Sequence, residues 1–113
     1  MKKIEAIIKR EKLNDVKVAL DALKCPGMMV TEIEGHGKQK GITEQFRGRE
    51  FRVDFLAKTR IEIVAQDGDV NKFVEAIVKA ANTGQVGDGK IFVYNVEQAI
   101  RIRTSEKGDS AIS

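Results

Sequence analysis

The feature that most narrows the fold of this 113-residue chain is the order in which its hydrophobic period changes. Val70, Phe73, Val74, Ile77, Val78 and Ala81 fall at i, i+3, i+4, i+7, i+8 and i+11, the spacing of an amphipathic helix. Leu13, Val16, Ala19, Leu20 and Leu23 repeat that spacing nearer the N-terminus, and Pro26-Gly27 ends the run. Asn14 is the expected N-cap of the first helix, and Asp67 or Asp69 that of the second. Around the two helices the pattern turns to that of strands. Residues 4–8 read as a buried strand and 28–34 as a second, while Thr59, Ile61, Ile63 and Ala65 alternate with Lys58, Arg60 and Glu62 in a half-buried third. Residues 90–96 form a fourth strand, 100–102 a short fifth segment, and the polar tail after Thr104 is expected to fray.

The resulting order, β-α-β-β-α-β, is the split-βαβ or ferredoxin-like α+β sandwich, an antiparallel four-stranded sheet with both helices on one face. Its other face stays open. Ile7, Val64 and Phe92 fall on that face, and an apolar surface there predicts a homo-oligomer. Size argues the same way: a single domain over residues 1–113, with a radius of gyration of about 13 Å, has little room for a large enclosed cleft. Ligands then belong at edges or between subunits. Twenty basic residues against 17 acidic ones leave a net charge of +3, with the acids spread along the chain, so no nucleic-acid partner is indicated. The single cysteine, Cys25, rules out an intrachain disulfide framework and fits a reducing, cytoplasmic setting. Residues 1–6 mix acid and base where a signal peptide needs an apolar run, and no stretch approaches the ~20 apolar residues of a membrane span. The chain is expected to be neither secreted nor membrane-inserted.

One segment is too long for a simple hairpin turn. About 19 residues, 37–55, separate the second and third strands with no clear period, where a loop of roughly 2–5 residues is usual. Three of the five phenylalanines, Phe46, Phe51 and Phe55, lie in it with Arg47, Arg49 and Arg52. Aromatic and arginine side chains are common interface anchors, which points to a partner-binding loop. The plainer reading is a long hairpin folded back on the body, with residues 52–55 continuing a strand.

Chemistry-bearing patterns are few. Gly84-Gln85-Val86-Gly87-Asp88-Gly89-Lys90 meets the first seven positions of the phosphate-loop pattern, but Ile91 stands where a magnesium-binding Ser or Thr is needed. The loop also leaves a helix and enters a strand, so no helix dipole aids it, and a classical nucleotide hydrolase is excluded. What remains is an anion nest of glycine-rich backbone with Lys90 as a point charge, or simply a turn. Arg101-Ile102-Arg103 would put two guanidinium groups on one side of a strand, to grip phosphate or to keep an edge charged. Gly35-His36-Gly37-Lys38-Gln39-Lys40-Gly41 lacks the last glycine of a dinucleotide fingerprint, and its His36 is the only histidine. No serine precedes position 105, and Cys25 has no positioned base. This thin catalytic inventory favours a binder over an enzyme. Lys90-Ile91-Phe92-Val93-Tyr94 has the aromatics of an RNA-binding ferredoxin-like module without its glycines. The arginine and asparagine spacing of a small acylphosphatase-type enzyme is likewise missing.

Four stretches carry a denser likeness: Thr31-Glu32-Ile33-Glu34-Gly35-His36-Gly37-Lys38-Gln39-Lys40-Gly41, Arg47-Gly48-Arg49-Glu50-Phe51-Arg52-Val53-Asp54-Phe55, Thr83-Gly84-Gln85-Val86-Gly87-Asp88-Gly89-Lys90-Ile91-Phe92-Val93 and Ile100-Arg101-Ile102-Arg103-Thr104. Over nearly its whole length the chain resembles the PII nitrogen-regulatory signal-transduction family. The resemblance implies a homotrimer that binds ATP or ADP competitively in three clefts between subunits, and 2-oxoglutarate together with Mg2+ and ATP. Residues 37–55 would be the family's T-loop, 82–90 its B-loop and 101–113 the C-terminal segment. By position, Gly87, Asp88, Gly89 and Lys90 match the phosphate-binding residues, and Arg101 and Arg103 would reach the phosphates from a neighbouring subunit. Gly35, Gly37 and Lys38 would close the site from the T-loop base, and Ile7, Glu62 and Val64 would line the base and ribose. Gln39 matches the magnesium ligand, a hard oxygen donor suited to that cation. Gly37, Gln39, Lys40, Gly41 and Lys58 match the 2-oxoglutarate site.

The likeness further implies a regulator that is not an enzyme, resident in the cytoplasm and reversibly membrane-associated through its partner. That partner would be an ammonium transporter plugged by the T-loop, with Arg47 at the tip and Phe46, Arg49 and Phe51 beside it. Nitrogen-assimilation enzymes are the alternative partners. Four departures sharpen this picture. Phe51 replaces the tyrosine that many relatives nucleotidylylate, Arg49 replaces the serine that others phosphorylate, Met29 replaces an adenine-contacting threonine, and Lys38 replaces an arginine. A sensor switched by ligands alone is expected, with nucleotide held less firmly by Lys38, which lacks the guanidinium fork.

Overall fold

Alternation along Lys2–Lys9 decides the architecture, because Ile4, Ala6 and Ile8 are buried while the residues between them are only half covered. The computed structural model describes residues 1–35, 42–46, 49–53 and 56–113, with strand backbone alone between 35 and 56. Six strands occur: β1 (Lys2–Lys9), β2 (Met28–Gly35), β3 (Ile42–Phe46), β4 (Arg49–Val53), β5 (Leu56–Ala65) and β6 (Gly89–Asn95). The helices are α1 (Leu13–Ala22), α2 (Val70–Ala81) and a short α3 (Asp109–Ile112). The main sheet is antiparallel in the order β2-β5-β1-β6, with β3 and β4 paired as a separate two-stranded sheet. This is the ferredoxin-like α+β fold expected from the period changes.

Register explains where the core sits. Ile4 lies opposite Ile63 and Val93, and Ala6 opposite Ile61 and Ile91, so one sheet face gathers branched side chains from three strands. Val16 and Leu20 of α1 and Val70, Phe73, Ile77 and Ala81 of α2 close over that face. The other face carries Lys3, Glu5, Ile7, Arg60, Glu62, Val64 and Phe92, as the phase of the strands predicts. Lys3 bonds Glu62 there at 3.0 Å and Arg60 lies 3.3 Å from the same carboxylate.

Several local expectations are corrected. Neither long helix has a side-chain cap: each is entered through a 3-10 turn, Arg10–Lys12 or Asp67–Asp69, whose own backbone bonds lead into the first helical turn. Asn14 is therefore inside α1. Asp69 instead pairs with Lys72 at 3.1 Å, and Asp67 takes the Met1 ammonium at 2.8 Å. The aperiodic insertion contains β3 and β4, paired from Ile42↔Val53 to Phe46↔Arg49. Residues 100–102 make no strand. A single bridge, Ile100↔Lys107, closes a turn in which the Ser105 amide donates to the Arg101 carbonyl at 2.8 Å. The tail is ordered into α3 instead of fraying.

Candidate functional site

The end of α2 delivers the chain into a loop, residues 82–88, that backbone geometry and one carboxylate shape together. Gly84, Gly87 and Gly89 all have positive φ, at +78°, +100° and +104°. Gly89 has no alternative. A Cβ there would sit 1.7 Å from the carbonyl oxygen of Ile7, because β6 starts by pressing its backbone onto β1. Asp88 folds back on the start of the loop: its Oδ2 accepts from the amides of Thr83 (2.7 Å) and Gly84 (3.0 Å), and its Oδ1 accepts the Thr83 hydroxyl. Those bonds, with the Thr83 hydroxyl contributing most, hold the Asp88 carboxyl far below the ordinary range. The Asn82 side chain adds a bond from the Gly84 amide at 2.7 Å.

The expected anion nest is thus smaller than the three glycines suggested, since the amides of Thr83 and Gly84 are already occupied. Those of Val86 and Gly87 carry no hydrogen bond among the described residues. They face the choice of solvent or an outside acceptor, with the exposed Lys90 next in line on β6. Lys58, buried at 9% exposure, donates to the Gly87 carbonyl at 2.5 Å. Burial first, and then the Lys9 ammonium, push its pKa down. Beside the loop a groove of about 260 Å³ opens between α2 and the β1–β6 pair, lined by Ile7, Ile8, Val78, Ala81, Lys90 and Ile91 among others.

Of the residues singled out in the sequence, Ile7, Lys58, Gly87, Asp88, Gly89 and Lys90 are brought together at this end of the sheet. Glu62 and Val64 lie farther along the open face, with Met29 directly across from Glu62. Glu62 is held below its ordinary range by the Lys3 hydrogen bond. Arg101 and Arg103 are not aligned by a strand. Arg101 turns to its own C-terminal segment, donating to the carbonyls of Ser110 and Ser113 at 2.9 Å each and lying 3.4 Å from Glu106. Arg103 is exposed. Gly35 ends β2 opposite Leu56, and Phe46, Arg49 and Phe51 hold places in the β3–β4 ladder. Gly37, Lys38, Gln39, Lys40, Gly41 and Arg47 lie outside the described residues. Sequence reasoning passed over Lys9, Thr83 and Asn82. The Asn82-Thr83-Gly84 run five residues before Asp88 was a visible turn signal, whereas Lys9 reaches the loop only through the β1–β6 pairing.

Fold and loop together define a ferredoxin-like domain with a preformed glycine loop between α2 and β6 and a hairpin-bearing insertion between β2 and β5. The family model for "Nitrogen regulatory protein P-II" matches residues 1–106. "Nitrogen regulatory protein P-II 2" of Methanothermobacter thermautotrophicus is 57% identical over 112 residues, covering 99% of this chain and 97% of that protein. "Nitrogen regulatory protein P-II" of Rhodospirillum rubrum is 58% identical and "Nitrogen regulatory protein P-II 1" of Escherichia coli K12 55%, each over 99% of this chain and all of the relative. The chain belongs to the P-II family of nitrogen regulatory proteins.

Proposed function

We propose that this chain reports nitrogen, carbon and energy status by binding ATP or ADP, and 2-oxoglutarate with Mg2+ and ATP, in clefts between the subunits of a homotrimer. The observation that carries the reading is the loop at 82–90, with the amides of Val86 and Gly87 unbonded among the described residues and Lys90 beside them. The adjoining groove of about 260 Å³ falls below the usual ~300–1,000 Å³ of a small-molecule site, so a whole nucleotide needs walls from a second chain. In this reading Arg101 and Arg103 come from that neighbour. No helix among the described residues is long and apolar enough to cross a membrane, and we place the protein in the cytoplasm. There it acts as a regulator and not as an enzyme.

The residues present fit such ligands unequally. In this reading magnesium arrives on the nucleotide phosphates, with Gln39 as its protein ligand. Lys58 is tied to the Gly87 carbonyl, and in this reading the same ammonium also offsets a 2-oxoglutarate carboxylate. Ligands favour one arrangement of the 37–55 segment over another, and an ammonium transporter reads the difference. A coupling of about 1–3 kcal/mol suffices, since it changes partner affinity roughly 5–150-fold.

Calorimetric titration tests the reading. ATP and ADP should each bind, and 2-oxoglutarate should give heat only with Mg2+ and ATP present. A chain that ignored both nucleotides and shifted on RNA instead would overturn it. For the partner, Arg47→Ala should lose binding to transporter-containing membranes in ADP. Equal binding by the variant would remove the plug assignment while leaving the nucleotide reading intact.

A further inference from the structure

Both oxygens of Asp88 are fully engaged, and one of their donors comes from outside the loop. Oδ2 takes the amides of Thr83 and Gly84, and Oδ1 takes the Thr83 hydroxyl and the Lys9 ammonium at 3.3 Å. Lys9 also donates to Thr83 Oγ1 at 3.2 Å. The contact is partly covered, with the Lys9 and Asp88 side chains 16% and 23% exposed. A carboxylate offers about four acceptor sites, and four donors fill them here. The Asp88 carboxylate therefore has no acceptor site left for a ligand, although it directly follows the Val86 and Gly87 amides that carry no hydrogen bond among the described residues.

The charge matters as much as the bonds. Asp88 is an anion beside a loop read as an anion site. A carboxylate released from Thr83 and Lys9 would compete for the Val86 and Gly87 amides, or repel a phosphate approaching them. Held in place, it is turned towards residues 83–84 and offset by Lys9, which anchors the loop to β1, a central strand of the sheet.

We propose that Lys9, Thr83 and Asp88 form a latch whose members are positioning residues: it fixes the loop and turns its one carboxylate away, so that a phosphoanhydride ligand meets free amides. This deepens the nucleotide reading and rests on it. The Asp88 carboxylate acts through the loop and not on the ligand, leaving any ligand contact of residue 88 to its backbone, while Lys9 and Thr83 are parts of the site that the sequence did not reveal.

Thr83→Val, Thr83→Ser and Lys9→Met test the latch, each checked by circular dichroism for an intact fold. Two readouts are used: hydrogen exchange of the Gly84 amide without ligand, and calorimetric titration with ADP. Thr83→Val and Lys9→Met should weaken ADP about tenfold and speed Gly84 exchange by a similar factor, the scale of one charge-assisted bond. Thr83→Ser keeps the hydroxyl and should recover most of both. Parent-like exchange and ADP binding in Thr83→Val would overturn the latch, as would Thr83→Ser behaving no better than Thr83→Val. A parent chain that bound no ADP would remove the nucleotide reading, and the latch would then stand on faster exchange in Thr83→Val or fall on unchanged exchange.

Discussion

Gly84 and Gly89 share a positive φ, yet their surroundings make them unequal. Nothing lies within 4 Å of a Cβ built on Gly84, whereas the same atom on Gly89 meets the Ile7 carbonyl oxygen at 1.7 Å. Gly84→Ala should cost only the left-handed conformational penalty, about 1–2 kcal/mol. Gly89→Ala must also push β6 off β1 and should exceed about 3 kcal/mol. Urea denaturation of the two variants reads the difference, and equal losses would mean that the β1–β6 approach is looser than it looks. Asp88 supplies a second prediction through its depressed pKa. A carboxyl lowered on folding adds stability that is complete above its unfolded value of about 4 and is lost as pH falls below that value. The gap in urea midpoint between the parent and Asp88→Asn should therefore be full at pH 7 and shrink below about pH 4. A gap that stayed constant down to pH 3 would show that the carboxylate's charge plays no part in holding the loop.

At the scale of elements, what could be read from sequence was what carries an apolar stripe. Residues 70–81 became α2 because Val70, Phe73, Ile77 and Ala81 all reach the core, and the alternation of 59–65 became the inner half of β5. The β3–β4 segment offers no such stripe in its sequence: the register pairs position 44, a Glu, with 51, a Phe, and position 46, a Phe, with 49, an Arg, so no period emerges along 42–53. The helix starts misled for a different reason, since a 3-10 turn replaces the side-chain cap and leaves no mark in residue type. The C-terminal segment misled because its order comes from aperiodic contacts, a backbone bridge at Ile100↔Lys107 and the Arg101 side chain. Four residues of α3 cannot hold a helix alone, and Arg101 Nη2, donating to the Ser110 and Ser113 carbonyls, ties the segment down. In Arg101→Met the Ala111 amide, bonded to the Gly108 carbonyl at 2.9 Å, should exchange at the rate of an unfolded peptide while α2 keeps its protection. Retained protection at Ala111 would assign the order to the backbone turn and not to Arg101.

For the whole molecule, the decisive fact is that the helices cover one sheet face and neither edge. Large apolar side chains remain exposed on both outer strands, with Met29 60% and Val30 45% on β2, and Phe92 44%, Val93 45% and Tyr94 46% on β6. These two edges are different surfaces, so a contact between them is heterologous and propagates until it closes a ring. In the proposed reading, a closed ring would also bring a second chain to the loop at 82–90, where the groove of about 260 Å³ is small for a nucleotide on its own. Phe92 is the sharpest probe of this assembly because it lies directly opposite Glu5 on the open face. Phe92→Glu would set two acids side by side where an apolar contact is needed, with the Glu5–Glu62 pairing already adjacent. Sedimentation should find the parent as three chains of 12.6 kDa each and Phe92→Glu as one. Val18→Glu, on the outer surface of α1 at 62% exposure, should stay assembled. If Phe92→Glu kept the parent's mass, the open face would not be the interface, and the second wall of the proposed nucleotide cleft would have to come from another surface.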